Sequence, residues 1–306
     1  MSALLYAVAW LAIIACVAII VIKVMGYLKK PMHLRWEIYP VPHETEGRAA
    51  YGGSYLEKTD WYKEKPGHDV IGMLGGFLKE ALLMHASMEH NRSLWVRTYP
   101  FHLGLYALIG SLFLTILLVI LPVMGGFTKL LAFLAGLASI VGFAGVLFGS
   151  VSLILRRLNV PDLKKFSMPE HYFNLVLFAV WSALGLILCL TYGVGGFTGL
   201  GILFFHGMFT FDAFPFPALY ALYLLISCFI FVWVPYSFMG HVFMKYFTWH
   251  DIRWDDTAAQ FSPKIQAKMM ENLGRKPTWS ADHIKGDGNK TWADIATKPV
   301  EQEDKE

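Results

Sequence analysis

The stretch HLGLYALIGSLFLTILLVIL occupies residues 102–121 and contains no acidic, Lys or Arg side chain. A helix of about 20 residues spans the roughly 30 Å hydrocarbon core of a bilayer. Backbone groups in lipid must be hydrogen-bonded within their own segment, so this stretch is predicted to be a transmembrane helix and not a strand. Four other stretches have similar length and character, at residues 3–28, 130–155, 172–192 and 218–244. The sequence therefore predicts an all-α membrane protein, a five-transmembrane-helix bundle.

The composition of the whole chain favours the same fold class. Of its 306 residues, 56% are hydrophobic and 16% are charged, and the mean hydropathy is +0.47. Soluble domains carry roughly 25% charged residues, so this chain has too little polar surface for a water-soluble globule. Its net charge of +3 is too weak to indicate a nucleic-acid-binding surface.

The distribution of Lys and Arg predicts the orientation in the membrane. Successive segments outside the bilayer carry 0, 10, 0, 4, 0 and 10 of these residues, counted from the N-terminus. Positively charged segments stay in the cytoplasm, which predicts an external N-terminus, a cytoplasmic C-terminus and a multi-pass protein of the cytoplasmic (inner) membrane. The predicted parts are a first transmembrane helix (1–28), a cytoplasmic partner-docking loop (29–100), a four-helix core (101–247) and a cytoplasmic C-terminal tail (248–306).

One segment of the cytoplasmic loop has helical periodicity. Apolar residues recur at helical spacing between Val70 and Leu82. The pattern predicts an amphipathic helix that lies on the inner membrane face or against a partner, and a small helix packed within the loop is an equal alternative. Neither the loop nor the tail is large or apolar enough to be an enzyme by itself.

Several common cofactor and catalytic motifs are missing from the sequence. Cys16, Cys189 and Cys228 lie far apart within predicted membrane helices. Without a CxxC, CxxCH or four-cysteine motif, the chain does not carry its own iron–sulfur cluster or a covalently attached c-type haem. A phosphate-binding loop, a dinucleotide fingerprint and a GxSxG motif are also missing. Glycines of the third predicted helix, including a GxxxG at Gly145 and Gly149, indicate close helix packing.

Two histidines lie inside predicted membrane helices, where an ionisable side chain is costly and marks a candidate site. Arg97 and Lys245 are predicted to lie at the inner interface. His102 is five residues into the membrane from the first, and His241 is four from the second. At 1.5 Å per residue these depths are about 7.5 and 6 Å, on antiparallel helices. Two imidazoles at one level predict axial ligation of a b-type haem, with two hydrogen-bonded core histidines as the alternative.

The propionates of such a haem would point toward the inner face, where basic side chains can bind them. The candidates are Arg97, Lys245 and the Arg156–Arg157 pair.

Several motifs of the four C-terminal helices are distinctive. They are FHLGL at 101–105, the Arg156-Arg157 turn followed by Ser167, ALGLI at 183–187 and PYSFMGH at 235–241. They resemble the gamma subunit of respiratory nitrate reductase, whose family is a five-helix membrane cytochrome b with the same orientation. Loop motifs include RWEIYPVPHE at 35–44, GGSY at 52–55 and NRSLW at 91–95. These look like the gamma-like subunits that accompany heterodisulfide-reductase-like iron–sulfur proteins in anaerobes, in transmembrane redox complexes.

The resemblance implies which residues ligate haem. His102 and His241 match the family's pair for the inner haem. Members with two haems carry a second pair, ten residues after the first histidine and eighteen before the last, and these positions are Leu112 and Tyr223 here. Since both outer ligands are missing together, we expect one haem b.

Other residues are alternative cofactor contacts. A displaced outer haem would use His206 with Met208 or Met124, and a rearranged inner pair would include His171. A menaquinone site needs an apolar slot with a polar group. Its inner candidates are His85, His90 and Arg92; its outer candidate is the segment 204–212, including His206, which is equally well explained as an aromatic interfacial belt.

Taken together, the residues and the resemblance predict an electron-transfer subunit embedded in membrane lipid. It would exchange electrons between menaquinone and a heterodisulfide-reductase-like iron–sulfur subunit on the cytoplasmic face, with room for further redox subunits. One alternative is a haem-free membrane anchor for a redox complex. Another is a small transporter, which requires broken helices or charged groups at the midplane, and the sequence indicates neither.

Overall fold

The computed structural model describes residues 2–29, 59–60, 63, 70–121, 125–241, 244, 259–282, 284 and 286–297, which form helices and no strand. The helices are α1 (Ser2–Leu28), α2 (Val70–Leu83), α3 (His85–His90), α4 (Arg92–Ile120), α5 (Gly126–Asn159), α6 (Pro161–Phe166), α7 (Pro169–Thr210), α8 (Ala218–Tyr236), α9 (Pro263–Leu273) and α10 (Trp292–Ala296). Five of them, α1, α4, α5, α7 and α8, are long and apolar enough to cross a membrane. The predicted all-α membrane bundle is confirmed.

The chain forms two compact units. The first contains residues 1–20 and 77–240, and the second contains residues 21–76 and 241–306. The first unit holds most of the membrane bundle.

In the second unit, α10 begins with a capping box. The Asp294 carboxylate accepts hydrogen bonds from the Thr291 hydroxyl at 2.7 Å and from the Thr291 backbone N–H at 2.8 Å. These bonds stabilise the carboxylate and lower the pKa of Asp294.

Close packing of α4 against α5 confirms the prediction from the glycine pattern. A Cβ atom added at Gly104 would lie 2.6 Å from the Gly142 carbonyl oxygen, and one added at Gly145 would lie 2.7 Å from the Pro100 carbonyl oxygen. Gly149 packs directly against Phe101. Glycine allows two helix backbones to approach this closely, which favours van der Waals contact in lipid. This crossing fixes the part of α4 that carries His102.

The fourth spanning helix continues beyond its predicted end at residue 192. α7 runs to Thr210 with a break at Gly193, whose φ of 71° and ψ of 171° glycine can adopt without steric cost. Beyond the break, the Thr198 hydroxyl donates to the Ala132 carbonyl at 3.4 Å, so the second half of α7 still packs on α5. The predicted external connection at 193–217 is therefore mostly helical, and one spanning helix is broken where the sequence analysis predicted none.

The fifth spanning helix is shorter than predicted. α8 ends at Tyr236 and not at residue 244, with Ser237 in an extended conformation and a 3-10 turn at Phe238–Gly240. Pro235 contributes to this ending because its ring removes a backbone N–H donor from the last turn. The depth of His241 therefore does not follow from a continuous helical rise.

Candidate functional site

His102 is half-buried on α4, and its ring has a defined tautomer. Nδ1 lies 2.9 Å from the carbonyl oxygen of Thr98, one turn earlier on the same helix. A carbonyl oxygen can only accept, so the ring proton is on Nδ1 and the lone pair of the neutral imidazole is on Nε2. Metal-ligating histidines commonly donate their second ring N–H to a backbone carbonyl in this way, which orients the ring and makes the ligating nitrogen more basic.

The neighbouring residue Phe101 positions His102 within the bundle. Phe101 is 3% exposed, and its ring centroid lies 5.4 Å from that of Phe178 on α7 in an edge-to-face contact. On its other side it packs against Gly149 of α5. Because α4 is held by both α5 and α7 at this level, the imidazole that follows Phe101 has little freedom to move.

Basic side chains lie on the predicted inner side of His102. Arg97 Nη1 donates to the Ser93 hydroxyl at 2.9 Å and also contacts the Ser93 carbonyl oxygen. Arg157 Nη1, at the end of α5, donates to the Ser167 hydroxyl at 2.8 Å. Two of the four predicted propionate-binding residues, Arg97 and Arg157, are therefore oriented by serine side chains. Another, Lys245, lies outside the described residues.

His241 is exposed and belongs to the second compact unit, whereas His102 belongs to the first. The two histidines lie in different units, and their pairing as haem ligands stays a prediction.

A buried amide that the sequence analysis missed lies on α7. Asn174 is 2% exposed, and its Oδ1 accepts a hydrogen bond from Trp233 Nε1 of α8 at 2.6 Å. Its Nδ2, a donor, is buried without a hydrogen-bond partner among the described residues. Asn174 lies one helical turn from Phe178, which contacts Phe101. The sequence did carry a signal for this residue, because a polar amide within a predicted membrane span is costly and marks a candidate site.

One of the inner candidates for the quinone site, His85, lies at a bend between α2 and α3, which we call the elbow (residues 80–86). Met84 has left-handed φ and ψ angles of 52° and 49°, a conformation that costs a non-glycine residue about 1–2 kcal/mol. The bend is stabilised by the Met84 N–H, which donates to the Glu80 carbonyl at 3.0 Å, and by the Glu80 carboxylate, which accepts from the Ala86 N–H at 3.0 Å. His85 lies inside the elbow, while His90 is exposed at the end of α3.

The outer candidate is a small polar cluster at the end of α7. The Thr210 hydroxyl donates to Asp212 Oδ2 at 2.8 Å, and His206 Nδ1 lies 3.8 Å from the same carboxylate oxygen. Met208 is 2% exposed, whereas the His206 side chain is 48% exposed. Residues two apart on a helix face different sides, so His206 and Met208 do not form a pair of ligands for one iron. The other proposed partner, Met124, lies outside the described residues.

Tightly packed aromatic rings surround Tyr223, one of the two positions expected for a second pair of haem ligands. Tyr223 stacks on Trp181 with ring centroids 6.2 Å apart, and Phe143 and Phe197 both approach it edge-on at 5.8 Å. We call these residues, with Tyr220, the aromatic cluster. Leu112, the other position of the expected pair, is 38% exposed.

His171 has the opposite tautomer from His102. Its Nδ1 accepts a hydrogen bond from the backbone N–H of Met168 at 2.9 Å and so caps the start of α7. The ring proton of the neutral imidazole is then on Nε2, which leaves no lone pair for a metal. This contact favours His102 over His171 as the ligand on the predicted inner side.

Three comparisons with known proteins give no relative: no family model, curated protein or solved structure matches the chain. Among the described residues, no group of three or more His, Cys, Asp or Glu side chains is arranged to hold a metal ion. A bis-histidine haem does not require such a group, because the porphyrin supplies the other four ligands. The arguments for function therefore rest on the residues themselves.

Proposed function

We propose that this chain is a membrane cytochrome b subunit with one haem b ligated by His102 and His241. It exchanges electrons between menaquinone and a cytoplasmic iron–sulfur subunit of the heterodisulfide-reductase type, in the cytoplasmic membrane with its N-terminus outside. The observation that carries this proposal is the 2.9 Å contact between His102 Nδ1 and the Thr98 carbonyl oxygen. It gives the one histidine within α4 the tautomer and orientation that an axial ligand needs.

The side chains around His102 fit a haem. Two neutral imidazoles are a common axial pair for b-type haem, and the bound group supplies reversible one-electron exchange at its iron. The buried Nδ2 of Asn174 has no acceptor among the described residues, and a haem carries carboxylate acceptors. Arg97 and Arg157 are oriented by serines on the side to which propionates would point.

The limit of one haem is supported by the aromatic cluster. Trp181 and Tyr223 fill the region where a second porphyrin would need an apolar gap between helices. Trp181 is held in this position, since its Nε1 donates to the Ser227 hydroxyl at 2.8 Å. A second haem would have to displace large buried rings, which is costly.

The cytoplasmic segments supply the surface for the partner. Residues 29–97 and 245–306 each carry ten Lys and Arg residues. Arg92 lies 4.5 Å above the Trp95 ring, and Trp95 stacks on Tyr99 with centroids 4.7 Å apart. Arg is enriched where proteins bind one another, so these basic segments, with Arg92 at the start of α4, suit docking of an iron–sulfur subunit.

A haem-free membrane anchor is the second candidate, and one observation favours it. The end of α8 at Tyr236 removes the continuous helix on which the matched depths of His102 and His241 depended. An anchor would bind the same redox partner without a cofactor of its own.

The test is the haem content of the purified full-length protein. Its dithionite-reduced minus oxidised spectrum, combined with haem quantified per polypeptide, is expected to give one b-type haem. A value of two would contradict the single-haem proposal. A value of zero would contradict the cytochrome and support the anchor.

A further inference from the structure

The elbow contains a buried imidazole nitrogen without a partner. His85 Nδ1 is buried and makes no hydrogen bond within the described part of the chain. The other ring nitrogen, Nε2, lies 3.5 Å from the Glu89 carboxylate, four residues later on α3. Glu89 is 59% exposed, so the ring has one nitrogen directed toward a solvated carboxylate and the other toward the protein interior.

The Glu89 carboxylate decides which nitrogen carries the proton. A negative charge beside Nε2 favours the tautomer with the proton on that nitrogen. The lone pair of the neutral ring is then on the buried Nδ1, which becomes an acceptor without a donor. A buried acceptor in this state is unfavourable unless a ligand or a water molecule donates to it. The missing group is therefore a hydrogen-bond donor such as a hydroxyl.

The last turn of α2 is attached to α4 in a manner suited to lipid. The Tyr106 hydroxyl donates to the Ala81 carbonyl at 2.6 Å, and Trp95 Nε1 donates to the Leu83 carbonyl at 2.9 Å. Both acceptors belong to the turn whose carbonyls have no partner within the helix itself. In hydrocarbon such groups must be satisfied by protein, and here two aromatic side chains of a membrane helix satisfy them.

The elbow also lies on the same side of α4 as the proposed haem ligand. Tyr106 is four residues after His102 on α4, so the two side chains share a face of the helix. Leu78 and Leu82 of α2 are each 50% exposed and are separated by one helical turn. Leu78 and Leu82 thus form an exposed apolar track on α2, the helix that ends at the elbow.

We propose that the elbow binds the head group of a membrane quinol, with a ring hydroxyl donating to His85 Nδ1 and the isoprenoid tail lying along Leu78 and Leu82. Glu89 is a positioning residue that keeps the proton on Nε2. The stacked Trp95 and Tyr99 rings form an aromatic surface near the elbow, at the start of α4. This inference rests on the proposed function, because it names the site at which the quinol meets the electron-transfer subunit.

A quinol matches the elbow better than other membrane molecules. Phosphate head groups are acceptors and would need donors, whereas Nδ1 presents a lone pair. A quinol combines a hydroxyl donor, a flat ring and a long apolar tail in one molecule, and these match the acceptor, the aromatic surface and the leucine track respectively.

The experiment is photoaffinity labelling of the full-length protein in lipid nanodiscs with an azido-naphthoquinol, followed by peptide mapping. Saturable labelling is expected between residues 77 and 99. His85→Ala should weaken labelling about tenfold, the effect of losing one hydrogen bond to a buried group. His90→Ala is the matched control, since it removes an exposed histidine from the same helix, and it should leave labelling unchanged.

Two further readouts separate this inference from the proposed function. Glu89→Gln should weaken labelling less than His85→Ala while the haem spectrum stays unchanged. Labelling at the His206–Asp212 cluster, no saturable labelling, or equal losses for His85→Ala and His90→Ala would each overturn the elbow site. Labelling of the elbow in a protein that contains no haem would support the site and contradict the cytochrome.

Discussion

The two halves of the bundle, inner and outer by the orientation predicted from the sequence, differ in how their buried polar atoms are satisfied. In the outer half, the Ser111 hydroxyl lies 2.8 Å from the Ala135 carbonyl and 2.7 Å from the Ser139 hydroxyl, and the Tyr6 hydroxyl donates to the Asp212 carbonyl at 3.0 Å. In the inner half lie the three buried side-chain atoms that lack a partner among the described residues: His85 Nδ1, Ser150 Oγ and Asn174 Nδ2.

The unpartnered atoms mark the half of the bundle in which we expect a ligand to bind. Unpartnered buried polar atoms are rare in folded proteins and call for an explanation. Their restriction to the half that contains His102 matches an inner haem and an inner quinol site. In the outer half, the hydrogen bonds of Ser111 and Tyr6 are made and the aromatic cluster is packed.

The largest expected effect is the loss of haem when the inner ligand is removed. His102→Ala should abolish nearly all haem binding, because a bis-histidine site loses half of its axial ligation. The haem content per polypeptide measures this directly. His206→Ala, in the outer half, is the control and should retain the full content. The comparison between the halves would be reversed if His206→Ala lost the haem and His102→Ala kept it.

The helix crossing that holds His102 gives the next largest effect. Gly104→Val should lower the free energy of unfolding by about 2 kcal/mol, because its side chain would overpack against α5. Gly110→Val is the control on the same helix, since a Cβ atom there would meet nothing within 4 Å. Unfolding in mixed detergent micelles measures both variants. Equal stability of the two would show that the close approach of α4 and α5 is not formed in the membrane.

Two serine substitutions, one in each half, should affect the free energy of unfolding differently. Ser111→Ala removes satisfied hydrogen bonds in the outer half and should lower the free energy of unfolding by about 0.6 kcal/mol. The Ser150 hydroxyl is fully buried and has no hydrogen-bond partner among the described residues. Ser150→Ala should therefore leave the free energy of unfolding unchanged or raise it. A clear loss of stability for Ser150→Ala would mean that its hydroxyl binds a ligand or a water molecule.

The smallest expected change concerns the number of haems. A Leu112→His, Tyr223→His double variant restores both outer histidines by sequence, yet we expect the haem content to stay at one per polypeptide. Leu112 is 38% exposed and aromatic rings pack around Tyr223, so a porphyrin would have to displace them. Quantified haem and the shape of the reduced spectrum test this, and a second b-type haem would refute the structural role of the outer half.

The parts of the fold that were predictable follow from properties of uninterrupted sequence. Apolar length predicted the five spanning helices, since a bilayer imposes a minimum span. The spacing of Gly145 and Gly149 predicted close helix packing, and the structure shows that the partner helix is α4. Both signals lie within a single segment and depend on the lipid around it. They can therefore be interpreted without knowing which other segments are near.

The features that were missed depend on contacts between distant segments. The helix beyond Gly193 forms because its residues pack on α5, as the Thr198 to Ala132 contact shows, although the local glycines favour a turn. The left-handed Met84 is stabilised by Glu80 and by its neighbours. Asn174 carries a sequence signal. The sequence does not show, however, that Trp233 bonds its Oδ1 while Nδ2 has no partner among the described residues.

The aromatic cluster also has a consequence for energy conversion. With the single inner haem that we propose, the route from quinol to cytoplasmic partner stays within one leaflet. Moving an elementary charge through the whole membrane against its potential costs about 2.3 kcal/mol per 100 mV. Turnover confined to one leaflet avoids that cost, so its rate should be insensitive to the transmembrane voltage.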